Sequence, residues 1–172
     1  MVDGPCVRLT ADRCELPGGR VIESYGVSHE KEWVHVLALD AAGCLVVVRQ
    51  YRHAAGVVCM ELPGGVVDDG EEPLAAAQRE LQEETGYAAD DWVYLGSLFA
   101  NPARQTNRVH MFVAQSARPV SAQRLDATED IMVDVLPLDR VHAAIQGGEF
   151  SQALHIGTLY AALIKMGLFK RA

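Results

Sequence analysis

Four charged side chains crowd the short stretch Arg79-Glu80-Leu81-Gln82-Glu83-Glu84. On a helix, Glu80 and Glu84 stand four apart and share a face, with Glu83 one step round. Three carboxylates at one end of a helix repel one another, and the C-terminal end of the helix dipole is negative as well. That arrangement is costly unless a cation sits among them. Hard divalent ions such as Mg²⁺ or Mn²⁺ bind carboxylate oxygens and usually substrate phosphates too. Arg79, four before Glu83, could orient it through a salt bridge. Gly64 and Gly65 allow a loop backbone to approach closely, so a carbonyl could join the metal's ligands. The competing reading is a solvated acidic helix face.

Elements must hold these residues in place. The segment "EPLAAAQRELQEETG" is rich in good helix formers, with Pro73 suited to the first turn and Gly86 to the position past the end. Leu74, Ala77 and Leu81 recur at i, i+3 and i+7 and predict the core stripe of that helix. Before it the chain is β-rich. "WVHVLALD" and "CLVVVRQY", joined by "AAG", predict a hairpin, and "VVCMELP" a short strand ended by its proline. After it, "WVYLGSLFA", "RVHMFVAQ" and "IMVDVLPL" predict strands, and the polar loop "NPARQTN" lies between the first two. "DRVHAAIQGG" and "SQALHIGTLYAALIKMGL" predict two further helices. Strands interleaved with few helices predict one mixed α/β (α+β) domain over residues 1–172.

Bulk properties exclude several functions. The net charge of −8 and the lack of any basic run argue against binding a nucleic-acid backbone. No run approaches the roughly 20 apolar residues of a membrane span, and the N-terminus shows no signal-peptide pattern. The expectation is a cytoplasmic protein. Cys6, Cys14, Cys44 and Cys59 form no C-x-x-C pair and read as free thiols rather than zinc ligands. His35, His110 and His155 fall in apolar segments and read as packed core or edge residues rather than ligands. An acidic protein can still act on a phosphorylated substrate if local arginines or a divalent cation offset the repulsion.

The pentapeptide ELPGG occurs twice, at Glu15–Gly19 and Glu61–Gly65. Nothing else downstream is shared, so the two copies are not an internal repeat. The first reads as a turn between strands. From the second, the chain runs Gly65, five residues, Glu71, seven residues, then Arg79-Glu80-Leu81-Gln82-Glu83-Glu84-Thr85-Gly86-Tyr87. This resembles, position for position, the signature of the Nudix hydrolases. Tyr87 is a tolerable rather than an ideal apolar last residue.

The resemblance implies a Nudix fold, a mixed sheet in an α/β/α sandwich, and metal-dependent hydrolysis of a nucleoside diphosphate linked to another moiety. It implies Gly64, Glu80, Glu83 and Glu84 as ligands of Mg²⁺ (or Mn²⁺), Arg79 as their orienting cation and Glu71 as a brace. "VRQYRH" (Val48 to His53), Glu61 and Pro102 resemble the ADP-ribose pyrophosphatase branch. That likeness would put Arg52 near the diphosphate and Glu61 near the ligand. The loop "NPARQTNR" departs from the branch's usual serine-proline-glycine pattern, and its donors, Arg104 among them, are candidates for the leaving sugar or base. The branch often carries its general base in a late loop. Here that would be Glu129, with Asp126 nearby and Glu83 as the competing base. Relatives of this branch are usually homodimers through N-terminal strands, here residues 1–30. The expected substrate is a nucleoside diphosphate sugar, ADP-ribose first. GDP-mannose or another sugar nucleotide is the alternative, and a non-catalytic ADP-ribose sensor is a rival of another class. No nucleic-acid or membrane partner is expected.

Overall fold

The computed structural model describes residues 2–3 and 8–168. Cys6 lies outside the described residues, while Cys14, Cys44 and Cys59 are free thiols. The first strands, β1 (Val2–Asp3), β2 (Arg8–Glu15) and β3 (Val21–His29), form a separate antiparallel sheet. The first ELPGG makes the β2–β3 turn: the Gly19 N–H donates to the Leu16 carbonyl at 2.8 Å and Gly19 takes φ 80°, which only glycine adopts cheaply.

The main sheet contains β4 (Trp33–Asp40), β5 (Leu45–Arg52), β6 (Val57–Glu61), β7 (Gly64–Val66), β8 (Tyr87–Ala88), β9 (Asp91–Phe99), β10 (Arg108–Pro119) and β11 (Ile131–Leu136). It is mixed: β4 and β10 run parallel, from Trp33 beside Val109 to Ala38 beside Ala114, and the other pairs are antiparallel. Three helices flank it, α1 (Pro73–Thr85), α2 (Leu138–Gly147) and α3 (Ala153–Lys165).

Alternation along β4 builds two cores. Val34, Val36 and Ala38 pack with Ala76, Ala77 and Leu81 of α1. Leu37 faces the other way, onto Val141 of α2 and Leu159, Ala162 and Leu163 of α3. Each fully buried aliphatic side chain contributes about 1.5–3 kcal/mol, so both helix layers are held chiefly by apolar burial. This is the expected α/β/α sandwich.

The predicted β4–β5 hairpin is real but brief. The strands pair only at Ala38–Val46 and Leu39–Leu45. Beyond that they part: β7 takes the edge of β4 at Trp33, Val34 and His35, and β6 takes the edge of β5 from Val48 to Arg52. The gap between them is where the functional groups collect.

One expectation needs correcting. Leu74 is 40% exposed and belongs to no core. The buried face of α1 is Ala76, Ala77, Leu81, Glu84 and Thr85. Leu74 points in nearly the same direction but sits at the exposed start of the helix. Packing begins at Ala76 and Ala77 and continues through Leu81 to Glu84 and Thr85.

Candidate active site

Helix α1 ends as its sequence predicts: Gly86 adopts the left-handed conformation and its N–H donates to the Gln82 carbonyl at 2.8 Å. The same helical period that buries Ala77 and Leu81 carries Glu84 inward, to 5% exposure. A buried carboxylate needs partners. Glu84 accepts from the Gly64 N–H at 2.9 Å. Burial still dominates and pushes its pKa up to about 8, with Glu80 and Glu129 adding repulsion against the pull of Arg52. Glu80 is likewise raised by burial, although Arg79 opposes the shift.

The second ELPGG lies against this helix. A Cβ on Gly64 would collide with the Val34 carbonyl, and one on Gly65 would collide with the Glu80 carboxylate. Gly64 is therefore required by its approach to backbone, whereas a Cβ at Gly65 would push the Glu80 side chain aside. Together the two glycines bring the β7 backbone directly onto the two inward carboxylates.

Arg79 is the hub. Its guanidinium donates to both oxygens of Glu71 (3.0 and 2.9 Å), to Glu80 (2.8 Å), to Glu83 (3.3 Å) and to the Val66 carbonyl (2.9 Å). Glu71 also accepts from the Asp68 N–H at 3.0 Å, and Arg79 holds its pKa below the usual carboxylate value. Orientation by Arg79 and bracing by Glu71, the roles implied by the motif, have a direct geometric counterpart here.

A cleft of about 510 Å³ opens over these groups. Trp33 and His35 of β4, Gln50 and Arg52 of β5, Gly64 to Val66 of β7, and Glu80 and Glu84 of α1 line it. Asp126 and Glu129 reach it from the loop before β11, and Gln152 and His155 from the start of α3. That volume is typical of a site for one small molecule.

Not every expected residue lies in the cleft. Glu83 is held outside it by Arg79 and by Arg124, whose Nη2 donates to Glu83 Oε1 at 2.7 Å. Glu61 is fully buried and lies beneath Arg52, whose guanidinium donates to it at 3.0, 3.2 and 2.5 Å. Glu61 therefore meets Arg52 and is shut off from any ligand. Arg104 lies in the 101–107 loop against Gly26 of β3, and it is absent from the cleft lining. Its carbonyl accepts from the Ser28 N–H at 2.7 Å, so that loop is tied to the N-terminal sheet.

Asp126, named beside Glu129 in the late loop, lines the cleft with it, whereas sequence reasoning passed over Trp33, Gln50, Gln152 and the cleft-facing side of His35 and His155. The period-2 pattern of β4, which puts Trp33 and His35 on one face, was the available signal for two of them. For His155, 120 residues away in sequence from His35, no local signal exists.

The donor set suits a hard divalent cation. Its atoms are carboxylate oxygens, two of the carboxylates are pushed toward protonation by burial, and Glu129 repels both. Among the described residues no three His, Cys, Asp or Glu side chains already converge on one point, so a cation would draw them together.

The NUDIX domain model matches residues 30–154, and the chain belongs to that family. It is 32% identical to an ADP-ribose pyrophosphatase of Bacillus subtilis over 133 residues, 77% of this chain and 71% of that one. It is 31% identical to an ADP-ribose pyrophosphatase of Mycobacterium tuberculosis over 160 residues, 92% of this chain and 77% of that one. A methanol dehydrogenase activator of Bacillus methanolicus is 35% identical over 136 residues, 78% and 72% of the two chains. A crystal structure of an ADP compounds hydrolase superposes with a TM-score of 0.83 over 98% of this chain and 92% of that one, at 22% identity, which speaks for the fold. The reading of the chain as a Nudix pyrophosphohydrolase resembling the ADP-ribose pyrophosphatase branch is borne out.

Proposed function

We propose that the protein hydrolyses the diphosphate bond of a nucleoside diphosphate sugar, ADP-ribose before others, giving AMP and ribose 5-phosphate. The observation that carries this is the cleft itself, which Arg52 lines together with Glu80, Glu84 and Glu129. A diphosphate needs the arginine. The carboxylates need a cation, and a diphosphate brings one into a negatively charged protein.

Gly64, Glu80 and Glu84 would hold Mg²⁺ or Mn²⁺, with Glu83 joining if it leaves Arg124. A divalent ion bound there would neutralise diphosphate charge and lower the pKa of a water molecule. The protein's own groups do the rest. Arg52, pre-aligned on Glu61, orients the diphosphate. Arg79 keeps the carboxylates from splaying. Glu129 already lines the cleft and is better placed than Glu83 to take a proton from water. Replacing Glu129 with Gln should then cost more in kcat than replacing Glu83 with Gln at saturating Mg²⁺. The reverse order would hand the role of base to Glu83.

Homodimerisation through the separate N-terminal sheet, and a cytoplasmic setting consistent with free Cys14, Cys44 and Cys59, complete the reading. Among the described residues no helix is long and apolar enough to cross a membrane. The deciding experiment is product chromatography with ADP-ribose, ADP-glucose, GDP-mannose, NADH and diadenosine polyphosphates, with Mg²⁺ and with excess chelator. Chelator-sensitive AMP from ADP-ribose, well above the rest, is expected. Preferential turnover of GDP-mannose would move the substrate. No turnover at all, with ADP-ribose still bound, would favour the sensor.

A further inference from the structure

Behind the Arg52–Glu61 pair lie two buried histidines that the hydrolysis scheme does not use. Arg52 is fixed on Glu61 by two guanidinium nitrogens. Glu61 is fully buried, and His155 Nε2 faces its Oε2 at 3.5 Å. His155 Nδ1 accepts from the Leu62 N–H at 3.2 Å. His155 stacks on His35 with ring centroids 3.8 Å apart, and His35 Nδ1 lies 3.0 Å from Thr158 Oγ1. Both histidines are 4% exposed.

The hydrogen bond from Leu62 decides the tautomer. A nitrogen that accepts a backbone N–H carries no proton, so the neutral ring carries it on Nε2, toward Glu61. The ring stays neutral because burial and the nearby Arg52 charge hold it so, and a proton would put a second cation against His35 and Arg52. We propose that His155 is a positioning residue for Arg52: its Nε2–H fixes the rotamer of the buried Glu61, which in turn fixes the guanidinium at the cleft wall. This rests on the reading of Arg52 as the group that meets the diphosphate.

The physical need is specific. Arg52 is the exposed end of the pair, with its side chain 43% exposed against 0% for Glu61. A flexible arginine at a cleft wall loses rotamer entropy when it clamps a ligand. A carboxylate locked from behind reduces that loss before the ligand arrives.

Two substitutions separate the ring's hydrogen bond from Leu62 and its 3.5 Å contact with Glu61. His155→Asn keeps an acceptor for the Leu62 N–H and loses the donor to Glu61. His155→Gln keeps a donor at the reach of Nε2 and loses the acceptor. With ADP-ribose and Mg²⁺, His155→Asn should lower kcat/KM about tenfold, mainly through KM, and His155→Gln should stay within about threefold of wild type. In an Arg52→Ala background, His155→Asn should cost nothing further, because its effect passes through Arg52. A full tenfold loss in that background would overturn the proposal, as would a larger loss for Gln than for Asn. An activity-free measurement runs beside this. The Arg52 Nε–H resonance should be exchange-protected in wild type and in His155→Gln and lost in His155→Asn. Wild-type ring ¹⁵N shifts should report the neutral Nε2–H form. The Nδ1–H form or an imidazolium would sink the proposal even if neither variant folds. If wild type turns over no sugar nucleotide, the functional reading fails, while the NMR measurements still decide whether His155 positions Arg52.

Discussion

Replacing Glu84 with Gln should make the metal-free protein more stable and the enzyme nearly inactive. Glu84 is 5% exposed, and burial raises its pKa to about 8 from the ordinary glutamate value of 4.5. The folded state therefore binds a proton more readily than the unfolded chain, and stability falls as pH rises from about 4.5 to about 8. One unit is worth about 1.4 kcal/mol. At pH 7 the buried carboxyl thus costs about 3 kcal/mol in the absence of a cation. Glutamine removes that cost and keeps an acceptor for the Gly64 N–H. Its unpaired amide gives back about 1 kcal/mol. The net gain of about 2 kcal/mol corresponds to a melting temperature higher by about 4–8 °C for a chain of this size. Thermal and urea melts in chelator at pH 5, 7 and 8.5 measure it. The advantage of the variant should nearly vanish at pH 5 and be largest at pH 8.5. With Mg²⁺ the order should reverse: at 100 times its dissociation constant a cation adds about 2.7 kcal/mol to a protein that binds it, and the variant should gain little. Turnover should fall by about two orders of magnitude or more, the scale of losing one electrostatic contact to the transition state. A variant that melts below wild type at every pH, or that keeps near-normal turnover, would refute the placement of Glu84 as a buried, cation-requiring carboxylate.

Other outcomes follow from the same geometry. Gly65→Ala should fold but lose most activity, because the new Cβ displaces the Glu80 carboxylate; a folded variant with wild-type kcat would refute it. Leu81→Ala should destabilise by about 2–5 kcal/mol in urea titrations, whereas Leu74→Ala should stay within about 1 kcal/mol, since only the former is buried. Acid should weaken the fold through His155. Its folded pKa is lowered from 6.5 to about 3, so its contribution is intact above pH 6.5 and is lost as pH falls below that value. By pH 5 the loss is about 2 kcal/mol, and His155→Gln should show a flatter stability profile between pH 7 and 5.

Much of the site was legible along the chain. The motif residues from Gly65 to Tyr87 are close in sequence, and helical period alone places Glu80 and Glu84 together with Arg79 within reach of Glu83. The two ELPGG copies could be told apart because only one precedes a carboxylate-bearing helix. Local signals also placed the strands, the three helices and the helix stop at Gly86. The same reasoning misjudged Leu74, because period says which way a side chain points and not whether anything covers it there. Two-residue and three-residue strands such as β1, β7 and β8 gave no pattern long enough to read.

Composition and spacing by themselves determined the fold class and the cluster of carboxylates, and the motif's resemblance to a known signature supplied the family, because each rests on residues within one or two elements. Tertiary structure alone decided which carboxylates face the cleft. Glu84 is buried onto the Gly64 N–H, Glu83 is drawn aside by Arg124, and Glu129 arrives from a loop 45 residues beyond Glu84. It also decided that Glu61 stands behind Arg52 rather than beside a ligand, and that two histidines from β4 and α3 stack beneath them. The reason is physical: burial and long-range charge contacts belong to the parting of β4 from β5 and to the docking of α3, and no local period records either.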